Sequence, residues 1–328
     1  MKILADILSA TIIFAVPLLL VALGGMFSER SGVINIALEG IMIVGALCSC
    51  LMLRLFDSMG LGASSPQLAM FLAILVAAAS GAVFSLLLAF ASINLKADQT
   101  IGGTALNMLA PAFAIVLTWS IQGQGQTTIL IPKWTRITQA TLGIVEKDTF
   151  FQNLIFKNFY LTTIFAFILL IAASILLYKT KFGLRLRACG EHPQAADSVG
   201  INVYRMRYAG VFISGVLGGI GGLAYTIAAG AGFQSSVAGY GFLALAVMIF
   251  GNWKPLNILG ASLFFALFKI IGSYSGSIPF LPSFSNISSS EYIYLILPYI
   301  VTMIILILTS KKSRAPKAEG IPYDKGSR

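Results

Sequence analysis

The stretch KTKFGLRLRACGEHPQAADSVGINVYRMR occupies residues 179–207 and lies between two apolar segments, residues 159–178 and 208–229. It holds six of the 22 Lys and Arg residues and the only histidine, His192. An apolar segment of about 20 residues is long enough to cross the hydrocarbon core of a bilayer. Because the basic stretch separates two such segments, it predicts a chain that crosses a membrane and exposes this charged loop to water.

The composition of the whole chain supports this prediction. Of its 328 residues, 57% are hydrophobic and 10% are charged, and the mean hydropathy is +0.88. Soluble domains carry about 25% charged residues. Lipid offers no partner for free backbone groups, so the spans must be helices. We therefore expect an all-α polytopic membrane protein with one transmembrane domain over residues 1–310 and a disordered basic tail over residues 311–328.

The net charge of +10 is unevenly distributed along the chain. Basic residues collect in residues 179–207 and in the tail, which is the positive-inside pattern of cytoplasmic loops. This pattern does not indicate a nucleic-acid partner. The three cysteines, Cys48, Cys50 and Cys189, support neither a disulfide framework nor a four-ligand zinc site.

The remaining apolar segments define the expected spans. Residues 237–250 are too short for an ordinary span, so we expect a tilted or re-entrant helix there. The polar residues 122–158 should then lie outside the membrane. Four visible crossings precede that loop and would place Lys2 outside, so we expect a further crossing or re-entrant piece within residues 28–56 or 67–93. The other apolar segments are residues 7–27, 43–56 (continuous with residues 28–42), 67–93, 101–121, 159–178, 208–229, 256–274 and 292–308.

Small residues mark one span for close helix packing. Four glycines in residues 208–229 include two pairs at spacing four, the pattern that lets helix backbones approach each other in membranes. We predict that these glycines form helix contacts: Gly215, Gly218, Gly219 and Gly222.

A few polar side chains lie within apolar segments. Glu39 is the only acidic residue well inside one, where a charge costs about 2.5–3.5 kcal/mol on insertion scales. Asn35 lies one turn before it, and Asn107 belongs to a second polar patch. These three residues are candidates for a substrate path; the alternative is that they bind backbone groups and cap helices. Lys269 lies near the end of its span and is expected to reach the headgroups.

Motifs of several enzyme classes are absent from the sequence. There is no H-E-x-x-H, and His192 lies in a polar loop, so a zinc protease or a membrane-embedded Ser/His/Asp site lacks its parts. There is no G-x-x-x-x-G-K-[ST] phosphate-binding loop either. We therefore expect a chain that is not an enzyme, binds no cofactor or metal and hydrolyses no nucleotide by itself.

The basic stretch contains the pattern G-E-x-P-x-A-A-D-x-x-G. It permits two interpretations, a plain positive-inside loop or a short amphipathic helix that docks into the groove of a partner. Ala195, Ala196 and Val199 would form the apolar face of such a helix, and Gly200 would end it. The length and pattern of the stretch favour docking.

Two motifs resemble a known family. Residues 186–203, LRACGEHPQAADSVGINV, and residues 24–42, GGMFSERSGVINIALEGIM, look like the permease subunits of ABC importers for simple sugars, branched-chain amino acids and nucleosides. The second motif is similar in particular to nucleoside (guanosine-type) permeases. Riboflavin importers share much of the pattern.

The resemblance implies an architecture and partners. It implies a bundle of about eight to ten transmembrane helices, each of about 20 residues, in the bacterial cytoplasmic (inner) membrane. The bundle would pair with a second permease, a copy or a paralogue. Cytoplasmic ATPase subunits would use ATP and Mg, and an extracytoplasmic binding protein or lipoprotein would deliver substrate. The residues that would couple to the ATPase are Gly190, Glu191, Pro193, Ala195, Ala196, Asp197, Gly200 and Ile201.

The leading hypothesis is therefore the permease subunit of a nucleoside importer. Import of riboflavin or a simple sugar by the same machinery is the first alternative. An ion-coupled secondary transporter would need intramembrane ionisable groups, for which Glu39 alone gives little support. A membrane scaffold without transport activity is the last alternative.

Overall fold

The computed structural model describes residues 2–137, 152, 159–274, 296, 300, 303–304, 307 and 315–326. These residues are helical apart from connecting segments and two isolated antiparallel bridges, Ile129 with Phe233 and Ile137 with Phe159. Seven of the described helices are long and apolar enough to cross a membrane. The predicted all-α polytopic fold is therefore confirmed. The expected span 292–308 and the loop 138–158 lie largely outside the described residues.

The helices have the following bounds in chain order. A π-helical turn, Phe90–Asn94, follows α4, and a 3-10 turn occupies Lys133–Thr135. The α-helices are α1 (Lys2–Arg30), α2 (Leu38–Ser58), α3 (Leu61–Ser64), α4 (Pro66–Ala89), α5 (Gln99–Gln122), α6 (Leu161–Lys179), α7 (Lys181–Glu191), α8 (Pro193–Ser198), α9 (Val203–Ala229), α10 (Tyr240–Phe250) and α11 (Pro255–Ser273).

Helix α9 packs closely against α2 and α4 in the centre of the bundle through its glycines. A Cβ added at Gly219 would lie 2.0 Å from the carbonyl oxygen of Ala77 in α4, and one at Gly222 would lie 2.0 Å from the carbonyl oxygen of Met42 in α2. Gly215 meets the backbone carbonyl of Gly81 in the same way, whereas Gly218 meets only the side chain of Ile41. At such distances only glycine lets the backbones touch.

The two ends of α1 fix the orientation of the chain. Ile7 and Ala10 cluster with Ile270 near the end of α11, whereas Arg30 lies 3.8 Å from Glu191 at the end of α7. The N-terminus therefore lies on the side opposite the basic stretch. Of the two alternatives for residues 28–56 and 67–93, the further crossing was wrong: α1, α2, α4 and α5 are the four crossings before residues 122–158, so the start of α1 lies on the same side as that loop. The first range does contain an irregular piece, residues 31–37.

Two crossings are broken inside the bundle. Residues 31–37 are non-helical although Val33 and Asn35 are fully buried, and α2 begins only at Leu38. Residues 230–239 are also non-helical, and Phe233 pairs with Ile129 before α10 begins at Tyr240. The apolar segment 237–250 is therefore the helical half of a broken crossing, because residues 230–239 supply the rest of its length.

The described part of the C-terminal tail is packed against the bundle. Ala318 and Tyr323 are buried, and the backbone N–H of Ala318 donates to the carbonyl of Gly190 over 2.8 Å. We expected residues 311–328 to be disordered; for residues 315–326 the structure shows an ordered segment instead. Ala318 and Tyr323 lie against the bundle while Ile321 is exposed, and the basic composition of the tail did not reveal this packing.

Candidate functional site

The basic stretch folds into two short helices joined at a sharp bend. The Thr180 hydroxyl caps α7 by accepting a 3.2 Å hydrogen bond from Gly183 N–H. α7 ends at Glu191, and Pro193 occupies the first turn of α8, where its missing N–H costs nothing. His192 between them is exposed and non-helical. These two helices, residues 181–198 together with the turn to Ile201, are called the coupling segment below.

The end of α8 is closed by a defined turn. Gly200 has φ +82° and donates to the carbonyl of Asp197 over 2.9 Å, while Ile201 N–H donates to the carbonyl of Ala196 over 3.0 Å. This pair of bonds is the Schellman arrangement, which needs a left-handed residue at the first position beyond the helix. The turn therefore fixes how α8 is presented to solvent.

Not all residues of the motif face solvent. Ala195 and Gly200 are exposed, and Val199 has 74% of its surface accessible. Pro193 and Ala196 are buried on the opposite side. The expectation that Ala195, Ala196 and Val199 share one docking face was wrong for Ala196, because the 100° step per residue carries it to the inner side.

The start of the motif contacts the end of α1. A Cβ added at Gly190 would lie 2.4 Å from the carbonyl oxygen of Arg30. Glu191 is half-exposed and forms a long ion pair with the same arginine. Gly190 is therefore placed to join α7 to α1, while Glu191, Asp197 and Ile201 lie at the margin between buried and exposed surface.

A second site lies where the two broken crossings meet. The Glu39 carboxylate accepts hydrogen bonds from the backbone N–H groups of Gly239, over 2.9 Å, and Gly241, over 2.7 Å. A Cβ added at Gly241 would lie 2.4 Å from the backbone nitrogen of Glu39. The N-terminus of α10 thus meets the N-terminus of α2, and the carboxylate complements the positive end of the α10 dipole.

The two asparagines hold the neighbouring backbone. Asn107 accepts from Gly40 N–H and donates to the carbonyl of Ile36, each over 2.8 Å. Asn35 donates to the Ser214 hydroxyl over 2.8 Å, and its buried Oδ1 has no hydrogen-bond partner among the described residues. Asn107 therefore clamps the break between α1 and α2, and Asn35 ties it to α9.

This junction has the architecture of a transport site. Discontinuous helices whose N-termini meet at the membrane midplane are the usual substrate and ion sites of transporters. Both oxygens of Glu39 and both amide atoms of Asn107 are occupied by backbone groups. These side chains therefore position the junction, and substrate contact by them remains a proposal.

Lys269 lies among aromatic rings inside the bundle, contrary to the prediction. The prediction that it reaches the headgroups was wrong, because its ammonium lies 4.0 Å from the ring centroid of Tyr240, 5.5 Å from that of Phe14 and 5.9 Å from that of Tyr225. A cation among aromatic faces is stabilised by their quadrupoles. The sequence offered no signal for this cage, since its rings come from three helices.

Glu29 and Trp253 were not among the predicted site residues. The Trp253 indole donates to the Glu29 carboxylate over 2.6 Å, next to Arg30, whose guanidinium donates to the carbonyl of Trp253. These contacts join the end of α1 to the loop between α10 and α11. Among the described residues, no group of three or more His, Cys, Asp or Glu side chains could hold a metal ion.

Comparison with known proteins places these features in a family. Residues 7–308 match the family described as "Branched-chain amino acid transport system / permease component". The "Guanosine ABC transporter permease protein NupQ" of Bacillus subtilis is 44% identical over 100% of this chain and 99% of its own length. No solved structure matches the chain.

Two further relatives come from one organism, Lactococcus lactis. The "Nucleoside ABC transporter permease protein NupC" is 41% identical over 97% of this chain and 96% of its own length. The "Nucleoside ABC transporter permease protein NupB" is 26% identical over 95% of this chain and 84% of its own length.

Proposed function

Because this chain belongs to the branched-chain amino acid transport system permease family, we propose that it is the membrane subunit of an ABC importer that carries nucleosides. The predicted family, the permease role and the multi-pass membrane location are confirmed by the match over residues 7–308 and by full-length relatives at 44% and 41% identity. Guanosine and nucleosides are the substrates in the names of those relatives, and they are the substrates that we propose here.

The exposed surface of the coupling segment is the observation that best supports the proposed mechanism. Its outer surface presents Ala195, Val199 and Gly200 on a short helix with a fixed end. An exposed apolar edge on a rigid helix is suited to a groove in a partner. We assign that partner as a cytoplasmic ATPase, which would bind ATP and Mg; the chain itself would supply no ATPase site.

The remaining partners follow from the same proposal. NupB and NupC of Lactococcus lactis are both named as nucleoside permeases, which supports a second permease, either a copy or a paralogue, beside this chain. An extracytoplasmic binding protein or lipoprotein would deliver the nucleoside on the side where α1 begins. The two permeases together would enclose the path.

Movement would pass from the coupling segment to the junction of the broken helices. Gly190 joins α7 to the end of α1, and α9 begins directly after the coupling segment. α9 in turn contacts α2 and α4 through glycines that allow no intervening side chains. A displacement of the coupling segment would therefore shift the helices that frame Glu39 and Asn107, and so open or close the path.

The test is ATP-dependent uptake of radiolabelled guanosine by a strain that lacks other guanosine carriers, with and without this chain. We expect uptake to be lost on deletion and restored by the intact gene. Uptake that continues after deletion would contradict the proposal. An unlabelled panel of nucleosides, riboflavin and simple sugars, used as competitors, identifies the substrate class.

A second measurement distinguishes transport driven by ATP from transport driven by a proton gradient. Collapsing the proton gradient at constant ATP should leave uptake intact, because the ATPase supplies the energy. Uptake that stops under these conditions would instead indicate an ion-coupled carrier.

A further inference from the structure

Residues 316–324 form an ordered segment that lies across the coupling segment, and we call it the C-terminal strap. The backbone N–H of Ala318 donates to the carbonyl of Gly190 over 2.8 Å, and that of Gly320 donates to the carbonyl of Gly32 over 3.3 Å. The strap therefore forms hydrogen bonds both with the end of α7 and with the loop that follows α1.

The strap also contacts the start of α9. The buried guanidinium of Arg207 donates to the carbonyl of Ile321 over 3.0 Å. Tyr323 packs edge-on against Tyr204, with ring centroids 5.4 Å apart, and is buried with Cys189 and Ala196. The Tyr323 ring thus fills the space between α7, α8 and α9.

Two charged side chains complete the attachment. The Lys96 ammonium lies 3.1 Å from the Asp324 carboxylate, but both side chains are about half-exposed, so this pair contributes little. Burial and a hydrogen bond with the Asp197 carboxylate raise the pKa of Tyr323 to about 12. The strap is held mainly by backbone hydrogen bonds, by Tyr323 and by the partly buried Glu319, which hydrogen-bonds to Glu29.

We propose that the C-terminal strap is a positioning element that locks the coupling segment to α1 and α9, so that ATPase movement reaches the helices as one rigid displacement. This inference rests on the proposed function of the chain as an importer permease. It assigns to residues outside the coupling segment a role in transmission, not in ATPase binding.

The geometry favours transmission over simple stabilisation of the bundle. The strap bonds to the two backbone positions, Gly190 and Gly32, at which α7 meets the end of α1. It touches none of the glycine contacts that hold α9 to α2 and α4. Release of the strap should therefore loosen the coupling segment while the transmembrane bundle remains folded.

A native cysteine reports whether the strap is docked. Cys189 is fully buried beside Tyr323, and burial raises the pKa of its thiol to about 11. Docking therefore protects the thiol from maleimide, since the thiolate is the reactive form. Peptide mass spectrometry separates labelled Cys189 from Cys48 and Cys50.

The experiment uses the full permease–ATPase complex with two variants that release the strap by different routes. Tyr323→Ala removes the buried ring. Gly320→Val places a β-branched residue at φ +76°, with its Cβ 2.8 Å from Ile34 Cδ1. For both variants we expect faster labelling of Cys189, unchanged ATPase co-purification, and nucleoside transport per ATP hydrolysed reduced by roughly tenfold, within the usual range of coupling between sites.

Two controls accompany these variants. Tyr323→Phe keeps the packed ring and loses only the hydroxyl contact with the partly exposed Asp197, so its labelling and transport should stay close to those of the wild type and far from those of Tyr323→Ala. Lys325→Ala changes an exposed residue beyond the strap and should have no effect.

The outcomes separate the two proposals. Variants that label faster at Cys189 yet transport with wild-type efficiency would overturn the strap proposal, as would variants that label no faster than the wild type or lose the ATPase from the complex. A wild-type complex without ATP-dependent nucleoside uptake would overturn the proposed function, and the strap proposal with it.

Discussion

Glu39 in α2 accepts a 2.7 Å hydrogen bond from the backbone N–H of Gly241 in α10, a residue 202 positions later in the chain. Its other carboxylate oxygen accepts from Gly239. The Glu39 side chain, which lies near the start of α2, thus caps the N-terminus of α10. The two halves of the chain meet at this carboxylate.

Replacing this carboxylate should destabilise the junction. Glu39→Ala leaves the buried N–H of Gly241 without its acceptor, at a cost of about 1–3 kcal/mol, and the partly buried N–H of Gly239 adds less. We expect a lower thermal unfolding temperature in detergent and loss of nucleoside uptake, with Glu39→Gln intermediate because it keeps one acceptor. Glu191→Ala is the stability control, since its ion pair is half-exposed and long. Equal unfolding temperatures for Glu39→Ala and the wild type would contradict this role.

Neighbouring alanines in α8 should respond differently to the same substitution. Ala195→Arg adds a side chain on the exposed face, so we expect a folded protein that no longer co-purifies with the ATPase. Ala196→Arg forces a charge into the buried side of α8 and should lower the unfolding temperature. Ala63→Arg, exposed on the opposite side of the membrane, is the matched control and should retain the ATPase. Retention of the ATPase by Ala195→Arg would argue against this docking face.

A Gly→Ala substitution should change the stability of the protein differently at a helix contact than at a position in open space. Gly219→Ala places a Cβ 2.0 Å from a backbone carbonyl that cannot move aside, so we expect destabilisation of about 1–3 kcal/mol or more. Gly218→Ala meets only the side chain of Ile41 and should cost less. Gly260→Ala in α11 meets nothing within 4 Å and should stabilise the helix by about 0.5–1 kcal/mol. Unfolding in detergent measures all three, and equal effects would refute the packing argument.

The helical fold was predictable because lipid permits few alternatives. Long apolar segments, the glycine pairs of α9 and the basic loop each carry a local signal in the sequence. The junction was only partly predictable: polarity indicated Glu39 and Asn107, but their partners come from distant segments. The position of the break at residues 31–37 was not predictable, because these residues join an apolar segment without a change of composition. The shortness of residues 237–250 indicated an irregular crossing there, but not the non-helical residues 230–239 that complete it. The packed tail and the Lys269 cage depend on contacts between elements far apart in sequence.

The docking of the C-terminal strap should depend on pH through Glu319. Burial raises the pKa of this carboxyl group, against the opposing effects of its hydrogen bond with Glu29 and the charge of Arg30. A carboxyl with a raised folded-state pKa favours docking in its protonated form. The contribution of Glu319 to the stability of the docked strap is therefore fully present below its unfolded-state pKa of about 4.3. This contribution is lost as the pH rises through the pKa that Glu319 has in the folded state. Glu319→Gln stays neutral, so its strap should remain docked at higher pH.

The ratio of Cys189 labelling in the wild type to that in Glu319→Gln, taken at each pH, measures this effect. The ratio cancels the pH dependence of the thiol, because both proteins carry the same Cys189. We expect it to be close to one in acid and to rise with pH as the wild-type strap is released. A ratio that stays constant would mean that Glu319 remains in one protonation state and that other contacts decide whether the strap docks.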